Sequence, residues 1–246
     1  MILYNGEDMN TTKTKLDARL LAVASCISDG AYLADVGTDH AYLPLYLAER
    51  GSISGAVASD IHKGPLERAD KNIREAGRSE MIHTLLADGL QGIEAYPVTD
   101  IAIAGMGGLM IAGILEKADF IRKRPVKLIL QPMQHIHELR DYLCKNGFDI
   151  TKETQAMADG KFYQIICAVY DGEKREYNAA ERLLGRYNIE HKEENRENFA
   201  LLVGRQLDVL GEKIAGLQRG GHDIAALSAL YEEIKNISPF SEKEKL

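Results

Sequence analysis

From Leu33 to Pro44 the chain reads Leu-Ala-Asp-Val-Gly-Thr-Asp-His-Ala-Tyr-Leu-Pro. A short apolar run ends in Asp35, Val36 and Gly37, and Thr38, Asp39 and His40 follow. Gly37 permits a sharp turn and a close backbone approach to a ligand. A strand-to-helix junction of this kind is where open α/β sheets receive nucleotide-like ligands. Asp35 and Asp39 place carboxylates where a dinucleotide loop offers bare amides to a pyrophosphate, which suits a ligand bearing hydroxyls and a positive charge. Three later segments end in similar residues. Asp60 can accept both hydroxyl protons of a ribose. Asp88 can accept from an adenine amino group, with Gly89 against the ring edge. Gly105, Met106 and Gly107 allow close approach to a substrate. Any one of these acids could merely cap the next helix, and Gly-Met-Gly-Gly alone could be a tight turn. The four together, in order, carry the signal. A nicotinamide dinucleotide site is disfavoured: it needs G-x-G-x-x-G, whereas Asp39 takes the middle glycine position and no third glycine follows.

These residues need elements to position them. Residues 16–27 have amphipathic helical spacing. Strand and helix patterns then alternate, with strands at 31–36, 55–59, 82–87, 100–104 and 126–130. Helices are expected at 40–50, 63–76, 109–117 and 136–146. Pro44 falls near a first helical turn, where it is tolerated. Two β-rich runs, 149–156 and 162–170, are joined by a turn at Asp159-Gly160. Uniformly apolar strands alternating with helices imply a parallel sheet covered on both faces. The last two strands form a hairpin that brings an antiparallel strand to the sheet edge. From Asp171-Gly172 the composition turns helical. Val203, Leu207, Leu210, Ile214 and Leu217 are spaced 4, 3, 4, 3, a coiled-coil seam. Gly220-Gly221 breaks it, and Ile224, Leu227, Tyr231 and Ile234 mark a second helix. The first arm, 179–217, is polar at 188–195, which argues that it is interrupted there.

The chain has 246 residues, 45% of them hydrophobic, which suits one core domain with an appendage. The expected division is 1–172 and 173–246. No apolar run is long enough to span a bilayer. The acidic start, residues 1–10, lacks the features of a signal peptide. Cys26, Cys144 and Cys167 have no paired spacing and read as buried thiols in a cytosolic protein without a metal site. A net charge of −7 weighs against nucleic acid only on average, since binding depends on local patches such as Arg122, Lys123 and Arg124. The polar tail, 238–246, is expected to fray.

The order of strand ends resembles a class I S-adenosylmethionine-dependent methyltransferase. More narrowly, the chain resembles the bacterial tRNA (adenine(22)-N(1))-methyltransferase family. The matching segments are 16–24, Ala34-Asp-Val-Gly-Thr-Asp-His-Ala-Tyr-Leu-Pro44, Ala87-Asp-Gly-Leu90, Ile103-Ala-Gly-Met-Gly-Gly108, 128–132 and Asp159-Gly-Lys-Phe-Tyr163. The resemblance implies a Rossmann-like, mostly parallel α/β sheet with an antiparallel edge hairpin and a C-terminal helical coiled-coil hairpin. It implies S-adenosyl-L-methionine as cofactor and tRNA as partner. Asp35, Gly37 and Asp39 would lie near the methionine part of the cofactor. Asp60 and Ile61 would hold its ribose and pack on its adenine, Asp88 and Gly89 would read the adenine, and Gly105, Met106 and Gly107 would line the methyl-transfer edge.

The ring nitrogen at adenine position one has an in-plane lone pair, so no strong base is required. The methylated base is cationic, and a carboxylate would stabilise it. Asp39 is the candidate, or else it binds the cofactor's ammonium group. His40 could orient the base or serve as a structural hydrogen-bonder. Tyr42 could stack on the base or fill the core. The loop after the fourth strand lacks an Asn-Pro-Pro-Tyr sequence suited to exocyclic amines. No cysteine stands at a strand end to attack a pyrimidine. Two alternatives remain open: methylation of another RNA position or a small molecule, and a non-catalytic RNA-binding module. The seam can close within one chain or between two, so a monomer or a weak homodimer is expected.

Overall fold

The computed structural model describes residues 14–238. The acidic start and all of the tail beyond Ser238 lie outside them. Among the described residues, 14–175 form one compact unit and 176–238 a second.

The first unit is a seven-stranded sheet in the order β3-β2-β1-β4-β5-β7-β6. Its strands are β1 (Ala31–Val36), β2 (Ile53–Asp60), β3 (Ile82–Leu86), β4 (Asp100–Met106), β5 (Lys127–Pro132), β6 (Phe148–Ala158) and β7 (Lys161–Tyr170). The first five pair in parallel. Ala56–Ala58, Ile101–Ile103 and Leu128–Leu130 are solvent-free, as central strands covered on both faces require. The order reverses on either side of β1, and that switch point puts a crevice at the carboxyl ends of β1, β2 and β4.

The hairpin sits at the edge, as expected, but β7 is its inner strand. β7 pairs antiparallel with β5, and β6 takes the rim. Asp159 and Gly160 both have positive φ, 49° and 71°, which fits a tight hairpin turn.

The helices of this unit are α1 (Ala18–Ala24), α2 (Tyr42–Glu49), α3 (Lys63–Glu75), α4 (Gly108–Glu116) and α5 (Ile136–Lys145). Several boundaries differ from the sequence expectation: α1 is shorter than 16–27, β2 is longer than 55–59, and β5 and β6 run past 130 and 156. Two of the differences bear on the site. α2 starts at Tyr42 rather than His40, because Ala41 is left-handed at φ 55° and its N–H donates to Thr38 Oγ1 at 3.1 Å. β4 runs on to Met106 instead of stopping at Ala104. Gly105, at φ 82°, absorbs a register shift there, so the strand resumes for one more residue.

The second unit contains α6 (Ala179–Leu184), α7 (Arg186–Glu190), α8 (Arg196–Arg219) and α9 (Ala225–Ile237). The arm expected over 179–217 is interrupted twice: at Gly185, with φ 84°, and over 191–195. Asn178 caps α6 in a reciprocal capping box with Glu181. Val203, Leu207 and Leu210 of the expected seam are buried, beside Phe199 and Leu202. Tyr231 of α9 lies next to Gly211 of α8.

Candidate active site at the carboxyl edge of the sheet

Parallel pairing brings the ends of β1, β2, β3 and β4 to one edge. A cavity of about 420 Å³ opens there, lined by Gly37, Asp60, Ile61, Asp88, Gly89 and Met106. Six of the sequence candidates therefore meet around one space. At Gly37, φ is 78°, and a Cβ would lie 2.2 Å from Met106 Cε. The N–H groups of Gly37 and Thr38 both donate to Ser59 O, at 2.8 and 2.9 Å, which ties the first loop to β2. Asp60 Oδ1 accepts from the His62 N–H at 2.7 Å and fixes the turn into α3. Ile61, 56% exposed, stands at the rim. Gly89 is left-handed at φ 61°, and a Cβ there would come within 3.0 Å of Ile114.

Asp35, Asp39, His40, Tyr42, Gly105 and Gly107 lie outside that lining. Asp35 is buried at the end of β1 and hydrogen-bonded to Thr38. Burial raises its pKa to about 6, against smaller lowering effects of Thr38 and Arg19. Asp39 is 61% exposed and pairs with Arg68 of α3, which is the main reason its pKa is lowered. His40 Nε2 sits 3.1 Å from Asp39 Oδ2. The His40 ring stacks on Tyr42 with centroids 4.9 Å apart, and Tyr42 is half-exposed. The His40 carbonyl accepts from Asn72 Nδ2 at 3.0 Å. Asp39, His40 and Tyr42, close after Gly37 in the chain, thus form one connected group with Arg68.

On the β4 side, the Gly105 N–H and Arg19 Nη1 both donate to Gln131 Oε1, at 3.1 and 2.9 Å. The Arg19 guanidinium also lies 5.9 Å from the centre of the Tyr163 ring. Gly108 N donates to Gln134 O at 2.8 Å, and a Cβ on Gly108 would sit 2.2 Å from His135 O. Met133 N donates to Met106 O at 2.8 Å. The loops after β4 and β5 are thus held together over Gly105–Gly108. Sequence reasoning gave no role to Arg19, Gln131 or Tyr163. Each lies in a segment that carries the family resemblance, and that was the available signal. It also missed the α4 face that completes the cavity, Met110, Gly113, Ile114 and Lys117. Their helical spacing after Met106 could have shown it.

The residues present fit an adenosyl cofactor. Two carboxylates, from Asp60 and Asp88, face one cavity beside glycines whose space a side chain would fill. Among the described residues, no group of three or more His, Cys, Asp or Glu is arranged to hold a metal ion. No described helix is long and apolar enough to cross a membrane.

A Rossmann-like sheet with acidic strand ends around such a cavity defines a methyltransferase, and residues 16–166 match the family model described as a methyltransferase domain. The chain is 38% identical to the Bacillus subtilis (strain 168) tRNA (adenine(22)-N(1))-methyltransferase over 165 residues, covering 64% of this chain and 69% of that protein. The crystal structure of the B. subtilis M1A22 tRNA methyltransferase TrmK superposes with a TM-score of 0.79 at 30% identity, over 92% of this chain and 99% of that one. A candidate tRNA (m1A22) methyltransferase from Streptococcus pneumoniae, solved in complex with S-adenosyl-L-methionine, gives 0.75 at 34% identity over 91% and 99%. The chain belongs to the tRNA (adenine(22)-N(1))-methyltransferase family.

Proposed function

We propose that this protein transfers a methyl group from S-adenosyl-L-methionine to N1 of adenine 22 in tRNA. The observation that carries the reading is the convergence of Gly37, Asp60 and Asp88, from three successive strand ends, on one cavity at the switch point. The relatives' names and the S. pneumoniae complex support the cofactor and the substrate.

S-adenosyl-L-methionine supplies an electrophilic methyl group on a sulfonium. Asp60 accepts from the ribose hydroxyls, and Ile61 covers one face of the adenine. Asp88 accepts from the adenine amino group, and the left-handed turn at Gly89 brings the backbone to the ring edge. Gly37 and Met106 flank the sulfur end. Asp35 lends negative charge to the methionine end. Arg19, anchored on Gln131 beside Gly105, is placed to pair with a carboxylate there.

The target adenine hides its pairing edge in folded tRNA, so it must be turned out of the stack into the site. Methyl transfer is an in-line displacement in which alignment and exclusion of water do most of the catalysis. Asp39, kept ionised by Arg68, stabilises the positive charge that grows on the base and accepts from its amino group. His40 and Arg68 set the direction of that carboxylate, and Tyr42 offers a stacking face. Residues 1–172 form the catalytic domain in this reading, and the helical part from 173 offers further surface for RNA phosphates. In this reading the enzyme acts in the cytoplasm, as a monomer or a weak homodimer.

The test is incubation with labelled S-adenosyl-L-methionine and unmodified tRNA transcripts. Label should enter the RNA. Asp39→Ala should lower kcat about 100-fold while S-adenosylhomocysteine still binds normally. If cofactor affinity falls instead and kcat holds, Asp39 binds the ammonium group.

A further inference from the structure

The cofactor cavity has a neighbour. A second cavity, of about 320 Å³, shares Asp88, Gly89, Ile114 and Lys117 with it, so the two meet along that seam. The partition includes an ion pair, Lys117 Nζ to Asp88 Oδ2 at 3.9 Å, with both side chains more than half exposed. Exposed pairs of this kind are weak and easily displaced. The floor beyond the partition includes Leu90 and Phe120. Phe120 is held in place: the Arg124 guanidinium lies 4.9 Å from its ring centre, and Arg124 donates to the carbonyls of Glu94 and Tyr96 at 3.2 and 3.4 Å. The rim carries both signs of charge, Glu94 and Asp119 against Lys123, which does not suit a phosphate. The volume is at the small end of the range for organic ligands, about 300–1,000 Å³. It suits one ring, not a second nucleotide.

We propose that this second cavity is a subsite for a neutral aryl group carried on the exocyclic nitrogen of the adenosyl ligand. The inference rests on the reading above that Asp88 accepts from the adenine amino group. A secondary amine keeps one N–H for the Asp88 carboxylate, while its substituent passes the displaced Lys117 and lies against Phe120.

Calorimetry on the full chain tests this with two ligands, S-adenosylhomocysteine and its N6-benzyl derivative. The derivative should bind within about tenfold of the parent, or more tightly. Phe120→Ala should weaken the derivative about tenfold and leave the parent unchanged, which also shows that the variant is folded. The subsite is overturned if the derivative binds more than about tenfold more weakly than the parent, or if Phe120→Ala leaves the derivative's affinity unchanged. If neither ligand binds, the cofactor reading fails and the subsite falls with it.

Discussion

Asp35 is a carboxyl held out of water at the end of β1, with a pKa raised by burial from 3.8 to about 6. The folded state therefore holds this proton more tightly than the unfolded chain. Between about pH 4 and pH 6 the folded chain binds more protons at this site, so its contribution to stability falls as pH rises. A shift of this size corresponds to about 3 kcal/mol. Urea unfolding of the wild type and of Asp35→Asn from pH 4 to 7 should show the difference. The variant gains relative to the wild type across that window by an amount of that order, and parallel pH profiles would contradict the assignment. Asp60 gives a second prediction. Asp60→Asn keeps an acceptor for the His62 N–H but removes the charge offered to the ribose. Affinity for S-adenosylhomocysteine should drop by about 1.5–3 kcal/mol, read by calorimetry. At this scale the acids were legible because each one lies at or just beyond the end of a strand-like run. Arg19 was not: it sits in an amphipathic helix where an arginine reads as solvated surface, and only the packing of α1 near the ends of β4 and β5 brings it to Gln131.

The loops after β4 and β5 form the element on which the transfer edge depends. A methyl group added at Gly108 would meet the backbone carbonyl of His135, which cannot move aside as a flexible side chain would. Gly108→Ala should therefore destabilise the fold by about 1–3 kcal/mol in urea titration, and a neutral result would show that the two loops are less tightly joined. A second constraint ties α5 to the edge hairpin. Arg140 and Glu153 are both buried and pair at 2.8 Å, and Arg140 also donates to Gln164 at 2.9 Å. Glu153→Ala leaves a buried guanidinium without its carboxylate and should cost about 3–5 kcal/mol. The strand-and-helix alternation was legible from periodicity alone. The exact end of β4 was not, since glycine at 105 reads as a stop and in fact permits a bulge followed by one more strand residue. The inner place of β7 was also hidden, because residue patterns give the hairpin but not which of its strands meets β5.

For the whole molecule, the net charge of −7 must coexist with a polyanionic substrate. Binding then relies on local basic surface, and tRNA affinity should fall steeply with salt. A chain ending at Gly172 should bind S-adenosylhomocysteine as the full protein does, and tRNA at least tenfold more weakly. Equal tRNA affinity would remove the helical part from substrate binding. The helical character of that part was legible in its heptad spacing, but the break at Gly185 was not, because an isolated glycine is often tolerated inside a helix.

The most direct measurement is the position of the methyl group. Unmodified tRNA transcript is methylated by the purified protein, digested and mapped by mass spectrometry, beside a transcript in which guanine replaces adenine 22. The result expected is 1-methyladenosine at that one position and no product on the altered transcript. Methylation at another position or another atom, or an unmethylated tRNA despite normal S-adenosylhomocysteine binding, would contradict it.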